Sequence, residues 1–212
     1  KDVVAWAHKL NELYNPEKMV IYGMSMGCAS TEMAISMDIP SNVKCAVLDC
    51  GFKALFPLMM SETKKRIKIN PYFSVLIMNM FTNMFAGFSM FEASAEESLK
   101  KAKVPCFFIH GKEDSTVPFS HAEANYEACC TEKEKYFIDG VEHAQAYYYG
   151  GEDLKNKLID DLPQSSDGKT IMTVEPKFVP SNPVYINIEN DVCLNVRLVD
   201  CVGYIIPSAK GY

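Results

Sequence analysis

Three polar side chains in this sequence have the types and the surroundings for nucleophilic acyl chemistry. Ser25 lies in Gly23-Met24-Ser25-Met26-Gly27, after the apolar run Met19-Val20-Ile21-Tyr22 and before a helix-forming run that starts at Cys28. A G-x-S-x-G pattern between strand and helix is a sharp turn that holds one hydroxyl clear of the backbone. Its two glycines leave room where side chains would strike the strand and the helix. A serine hydroxyl is a poor nucleophile until a base takes its proton, and the base needs an acid that fixes its tautomer and stabilises the imidazolium. Asp114 follows the apolar run 104–110, and His143 follows the run 135–138, so both fall on loops at strand ends. Other candidates fit less well. His8 and His121 fall on helical patterns, and His110 ends a strand as packed core histidines do. Asp139 is too near His143 in sequence to reach it from a neighbouring strand, while Glu113 adjoins Asp114 but points away from it.

The elements that must hold these residues alternate between two periods. Residues 2–14 set Val3, Ala7, Leu10 and Tyr14 on one helical face, which Asn15-Pro16 ends. The runs 19–22, 43–50, 104–110 and 135–138 read as strands, with a helix over about 119–130 between the last two. Strands that are apolar throughout and separated by helices predict an α/β fold with a parallel sheet. Ser25, Asp114 and His143 would then meet at the carboxyl ends of its strands.

Between the second and third strands, about 52–93, lies a segment rich in methionine and phenylalanine, with no charged residue over 71–91. Asn79, Asn83, Thr82, Ser74, Ser89 and Gly87 make it a poor membrane span, so no span is expected. The expectation is a helical cap whose Met and Phe side chains line an apolar pocket over Ser25. The basic run Lys64-Lys65-Arg66 with Lys68 reads as its solvated face.

Composition narrows the classes. The 212 residues, 48% hydrophobic and 23% charged, suffice for one good-sized core, or for one domain and a fragment. A net charge of −6 gives no basic footprint, so nucleic acid is not an expected partner. The eight cysteines form no C-x-x-C pair and several sit in strand-like runs, which suits buried thiols in a reducing cytoplasm. No metal site and no cofactor is expected. The sequence opens at Lys1-Asp2 on a helical pattern without a methionine or a signal peptide, from which a lost upstream segment is expected.

The phrases Ile-Tyr-Gly-Met-Ser-Met-Gly at 21–27, Phe-Ile-His-Gly-Lys-Glu-Asp at 108–114 with Val-Pro at 117–118, and Glu-His-Ala at 142–144 resemble the α/β-hydrolase superfamily in its esterase and lysophospholipase-like branch. The order Ser, Asp, His is that superfamily's order. The resemblance covers about residues 2–158. It implies Ser25 as nucleophile, His143 as general base and acid, Asp114 as the orienting acid, the Met26 amide as an oxyanion-hole donor, and a small-molecule acyl ester as substrate. It also implies several strands upstream of β-strand 19–22 and a second oxyanion donor on a loop after one of them. Without that donor a loss of about 10²- to 10³-fold in rate is expected. The first strand would also be an apolar edge open to self-association.

Past residue 158 the pattern changes. The loop 163–169 is polar, and 171–175, 184–188 and 193–201 read as strands. Gly168-Lys169-Thr170-Ile171-Met172-Thr173, Glu175-Pro176-Lys177-Phe178-Val179-Pro180 and Arg197-Leu198-Val199-Asp200-Cys201-Val202-Gly203-Tyr204 resemble the stage IV sporulation protein A family, a coat-morphogenesis ATPase with a GTPase-like P-loop fold. That resemblance sets Asp200 and Gly203 on a D-x-x-G motif and Thr170 or Thr173 on a switch-like loop. Gly168-Lys169-Thr170 does not complete a phosphate-binding loop, since the first glycine of G-x-x-x-x-G-K-[ST] would be Pro163. The chain reads as two joined pieces, a hydrolase domain over 1–158 and a small β-rich fragment over 159–212 that packs loosely against it. Three functions follow: an esterase-like serine hydrolase, a structural piece of a sporulation ATPase, or a catalytically silent hydrolase-like binding module.

Overall fold

The computed structural model describes residues 1–68 and 70–161 and, beyond these, the backbone of four short strands; side chains are described through residue 158. Strands β1 (Met19–Met24), β2 (Val43–Asp49), β3 (Cys106–Gly111) and β4 (Lys133–Ile138) form one sheet in the order β1-β2-β3-β4, every pair parallel. Met24 pairs with Asp49, Asp49 with Ile109 and Gly111 with Ile138, so the carboxyl ends of the strands form one edge.

Both faces of the sheet are covered, which is why its central strands lack a polar alternation. On one face Ile21, Ala46, Leu48, Cys106 and Phe108 pack with Val3, Ala7 and Leu10 of α1 (Asp2–Tyr14) and with Cys28 and Ala34 of α2 (Met26–Ala34). On the other, Cys45, Val47, Phe107 and Ile109 pack with Ala146, Leu154 and Leu158. Those three belong to α7 (Ala146–Asp161), which is broken at Gly151 with φ 49°. Each large side chain buried this way contributes about 1.5–3 kcal/mol. Helix α1 stops where expected, at a left-handed Asn15 whose N–H caps Asn11 O, but Tyr14 is exposed and the buried face ends at Leu10.

The insertion between β2 and β3 holds α3 (Leu55–Arg66), α4 (Pro71–Phe81), a π-helical continuation over Thr82–Ala86, and α5 (Ala95–Leu99). Its base is pinched shut by a bridge between Ala54 and Ser94, with Leu55 N donating to Ala93 O at 2.9 Å and Glu96 N to Lys53 O at 3.0 Å. Pro71 sits in the first turn of α4 and the Asn70 side chain caps Tyr72 N. Helix α6 (Ser120–Ala128) joins β3 to β4.

The late strands are β5 (Met172–Glu175) and β6 (Tyr185–Ile188), and β7 (Leu194–Val199) and β8 (Val202–Pro207), each pair antiparallel. What reads as one strand over 193–201 is the first arm of a tight hairpin, and its second arm, β8, carries no turn signal strong enough to be read in advance. Asp200, Thr170 and the 163–170 loop lie outside the described residues, while Gly203 and Thr173 fall within β8 and β5. Strand β7 passes beside β1 and α2, closer to the first domain than the expected loose attachment. Among the described residues no helix is long and apolar enough to cross a membrane.

Candidate active site

Ser25 stands at the junction of β1 and α2 with φ 52° and ψ −117°, a conformation that L residues rarely adopt and that costs about 1–3 kcal/mol. Two backbone bonds hold it there: Ser25 N donates to Asp49 O at 2.8 Å and Ala29 N to Ser25 O at 3.1 Å. Gly23 is needed for the same turn. A Cβ on it would come within 2.6 Å of both Gly27 O and Thr31 Oγ1.

His143 reaches Ser25 from the loop after β4. Its Nε2 lies 2.8 Å from Ser25 Oγ, and its Nδ1 lies 2.6 Å from Asp114 Oδ2. A carboxylate can only accept, so Nδ1 carries the proton and Nε2 is left to accept from the serine hydroxyl. Asp114, 4% exposed, is itself fixed by Thr116 N and Val117 N, which donate to Oδ1 at 2.9 and 2.7 Å. Met26 is the first residue of α2, next to the serine, and lies on the wall of the pocket described below. The four residues singled out in the sequence, Ser25, Met26, Asp114 and His143, are thus brought to one point on the carboxyl edge of the sheet.

The acid and histidine loops are fastened to one another along their length. Ser115 donates to Glu142 Oε2 through N at 3.0 Å and Oγ at 2.9 Å, which holds the Glu142 carboxyl below its usual range. Gly140 N donates to Glu113 Oε2 at 2.6 Å, and Lys112 pairs with Asp139 at 2.8 Å. Gly111 permits this approach, since a Cβ there would strike Val141 O. Asp139 and Glu113, set aside as acids for the histidine, serve as these fasteners.

Some neighbours of the site carry no sequence signal. His110 is more than a packed core histidine: its Nε2–H donates to Val117 O at 2.9 Å and lies 3.4 Å from Asp114 Oδ2. Burial lowers its pKa, so it stays neutral beside the acid. Asp49, fully buried at the end of β2, accepts from Tyr22 Oη at 2.7 Å, and burial raises its carboxyl to about 6. Behind the turn, Glu32 accepts from Asn125 Nδ2 at 2.9 Å and is raised by burial to about 8. The last two are contacts between residues far apart in the chain, which local spacing does not reveal. Of the cysteines, 28, 45, 50, 106 and 129 are buried free thiols and Cys130 is exposed; Cys193 and Cys201 lie outside the described residues.

Over Ser25 lies a cavity of about 380 Å³ walled by Phe52, Leu58, Met59, Ile67 and Val117, with Glu62 and Arg66 at its polar side. Of the Met and Phe side chains of the 52–93 segment expected to line it, Phe52 and Met59 do so. Residue 52 and helix α3 supply the apolar wall, whereas the Met and Phe side chains of 72–91 mostly face away from it. A helix apolar on every side gives no periodic signal for which side turns inward. The basic run is exposed as expected, and within it Arg66 also lines the cavity and Lys65 Nζ donates to Ser115 O at 2.9 Å, tying the cap to the acid loop.

Known proteins match the chain in two parts. Residues 146–212 match the ATPase domain of stage IV sporulation protein A. The Bacillus anthracis protein of that name is 55% identical over 58 residues, which are 27% of this chain and 12% of that protein. The first part is similar to alpha/beta hydrolase domain-containing protein 17C of Xenopus tropicalis, 27% identical over 77% of this chain and 46% of that protein. The chain therefore spans about half the length of these hydrolase relatives and an eighth of the sporulation proteins. Solved structures with the same fold include an esterase of Pyrococcus furiosus, with TM-score 0.56 and 20% identity over 75% of this chain and 59% of that one. An acetyl xylan esterase from Paenibacillus sp. R4 aligns with TM-score 0.54 and 14% identity over 76% of this chain and 51% of that one. The sheet and the turn at Ser25 are those of an α/β hydrolase, and over residues 1–145 the chain matches, and belongs to, the prolyl oligopeptidase family.

Proposed function

We propose that this chain is a serine hydrolase that cleaves a carboxylic ester or a related acyl bond through Ser25, His143 and Asp114. The observation that carries this is the unbroken hydrogen-bonded line from Ser25 Oγ through His143 to Asp114 at the floor of an apolar cavity. Ser25 Oγ attacks the acyl carbonyl while His143 Nε2 takes its proton, and Asp114 stabilises the imidazolium so formed. The Met26 amide, at the amino end of α2, donates to the oxyanion. His143 then protonates the leaving alkoxide, and a water molecule, deprotonated by the same nitrogen, releases the acid from Ser25. The mostly apolar wall of Phe52, Leu58, Met59, Ile67 and Val117 suits a small, partly apolar acyl group, with Arg66 toward any polar end.

The hydrolase part is taken to run from 1 to 158, because Leu154 and Leu158 of α7 are buried against the sheet although they fall within the stretch that matches the sporulation ATPase. Residues 159–212 then act as an appended fragment. Because β7 passes beside β1, it competes with a second copy for the outer edge of the sheet.

The test is labelling with a fluorophosphonate, followed by hydrolysis of a p-nitrophenyl ester and of a prolyl p-nitroanilide. Labelling of the chain but not of Ser25→Ala, with the ester cleaved faster than the anilide, is the expected result. No labelling would leave a silent binding module, and faster cleavage of the anilide would replace the ester with a peptide substrate.

A further inference from the structure

The cap carries an apolar surface that the fold itself does not cover. On α4 and its π-helical continuation only Val75 is buried. Phe73 is 66% exposed, Ile77 54%, Met80 54%, Met84 62% and Phe85 76%. Phe73, Ile77, Met80 and Met84, spaced by three or four residues, share one side of the helix over about three turns, and Phe85 adjoins Met84, a ridge about 18 Å long in all. An isolated exposed apolar residue needs no explanation, but a contiguous ridge of this kind marks a contact surface.

The polar groups of this segment tell what kind of contact it suits. Asn79 turns back into the cap, where its Oδ1 accepts from Met90 N at 2.7 Å and from Ser89 Oγ at 3.2 Å. Thr82 Oγ1 donates to Asn79 O at 3.0 Å. The ridge thus offers few polar groups to match the rim of a protein partner, whereas the acyl region of a bilayer demands none. No acidic or basic residue interrupts 71–91, and the basic residues gather at one end, Lys64, Lys65, Arg66 and Lys68, where α3 turns into α4. An apolar helix side with lysines and arginine beside it, on a segment too short to span, is the arrangement that lies in the headgroup region of a bilayer.

We propose that the α4 ridge, with Lys64 and Lys68 beside it, docks this protein on a lipid surface that bears anionic headgroups. The apolar side chains supply the insertion, and the basic run supplies the preference for negative charge, although the chain as a whole is at −6. Docking in this way leaves the four-stranded sheet and its carboxyl edge unchanged, and it does not depend on which bond Ser25 cleaves.

The full chain is floated with vesicles of phosphatidylcholine alone and of phosphatidylcholine mixed with phosphatidylglycerol. Binding is expected to favour the mixed vesicles. Phe73→Ser and Phe85→Ser are each expected to weaken binding about tenfold on both compositions. Lys64→Gln and Lys68→Gln should each cost roughly fivefold on the anionic vesicles only. All four residues are exposed, so the variants should fold, and circular dichroism checks that they do. Failure to float with either vesicle would overturn the proposal. So would light scattering that finds a dimer in solution which Phe73→Ser with Phe85→Ser converts to monomer, because the ridge would then be a contact between copies.

Discussion

The carboxyl edge of the sheet and the cap above it are built on opposite plans. At the edge, the groups that serve Ser25 are each held by a further one: Asp114 by two amides, His143 by Asp114, the histidine loop by Ser115 and Glu142. In the cap, α4 buries one side chain and leaves long apolar ones in the open. The difference is one of tolerance. A chemical step needs a geometry held within a fraction of an ångström, so its supports are numerous and directional. A surface that covers a substrate or meets a soft partner needs area and adaptability, which flexible Met and Phe side chains supply. Changes at the edge should therefore be costly and changes on the ridge cheap.

The largest expected effect is on chemistry. Asp114→Asn keeps an oxygen for Thr116 N and Val117 N but no longer holds the proton on His143 Nδ1. The rate of fluorophosphonate labelling should fall about 10⁴-fold, with the melting temperature changed little. A fall of only a few fold would mean that His143 is oriented without Asp114. Next comes the turn itself. Gly23→Ala sets a methyl group against Gly27 O and Thr31 Oγ1, both 2.6 Å away. It should cost about 2–3 kcal/mol in a urea titration. An unchanged midpoint would mean that the elbow can relax and that the edge is softer than its hydrogen bonds suggest.

Much of the edge was legible in the sequence because its parts announce themselves locally. Gly23 and Gly27 around Ser25, and apolar runs that end in Asp114 and His143, each declare a strand end, and parallel strands bring like ends together. The supports of these residues were not legible. Tyr22 on Asp49 and Asn125 on Glu32 join positions whose local surroundings say nothing of one another. The cap shows the reverse limit. Its helical character and its apolar composition could be read, but a helix with apolar residues all round has no preferred inward side, so the sequence did not tell which part of the cap lines the cavity.

A third effect separates the packed half of the molecule from the cap by pH. Burial raises Glu32 from 4.5 to about 8, so between these values the folded chain keeps a proton that the unfolded chain releases. Stability is therefore full below about 4.5, falls as pH rises, and has lost this contribution by about 8, on the order of a few kcal/mol. Asp49 acts with the same sign, but only between 3.8 and about 6. Between pH 6 and 8 the lowered His110, His121 and Cys129 act with the opposite sign, so Glu32 is read from the difference in melting temperature between the parent and Glu32→Gln. Glu32→Gln, which keeps an oxygen for Asn125, should remove the fall with pH that Glu32 imposes and raise the melting temperature at pH 8. If the slope survives the substitution, another buried group sets it.

The smallest effect is expected on the ridge, and it is the sharpest check on the contrast. Phe85 is 76% exposed, so the folded state shields little more of its ring than the unfolded chain does. Among the described residues its ring contact is a stacked one with Phe81, 5.9 Å between centroids, on the same helical segment and itself 47% exposed. Phe85→Ser removes that pairing and adds a residue of similar helix propensity, so the two small terms nearly cancel. Stability should stay within about 0.5 kcal/mol of the parent, measured by urea titration in the absence of lipid. A loss of 2 kcal/mol or more would mean that the ring is buried in solution, either against the cap or against a second molecule. Repeating the titration over a range of protein concentrations separates these outcomes, because only a contact between copies makes the midpoint depend on concentration.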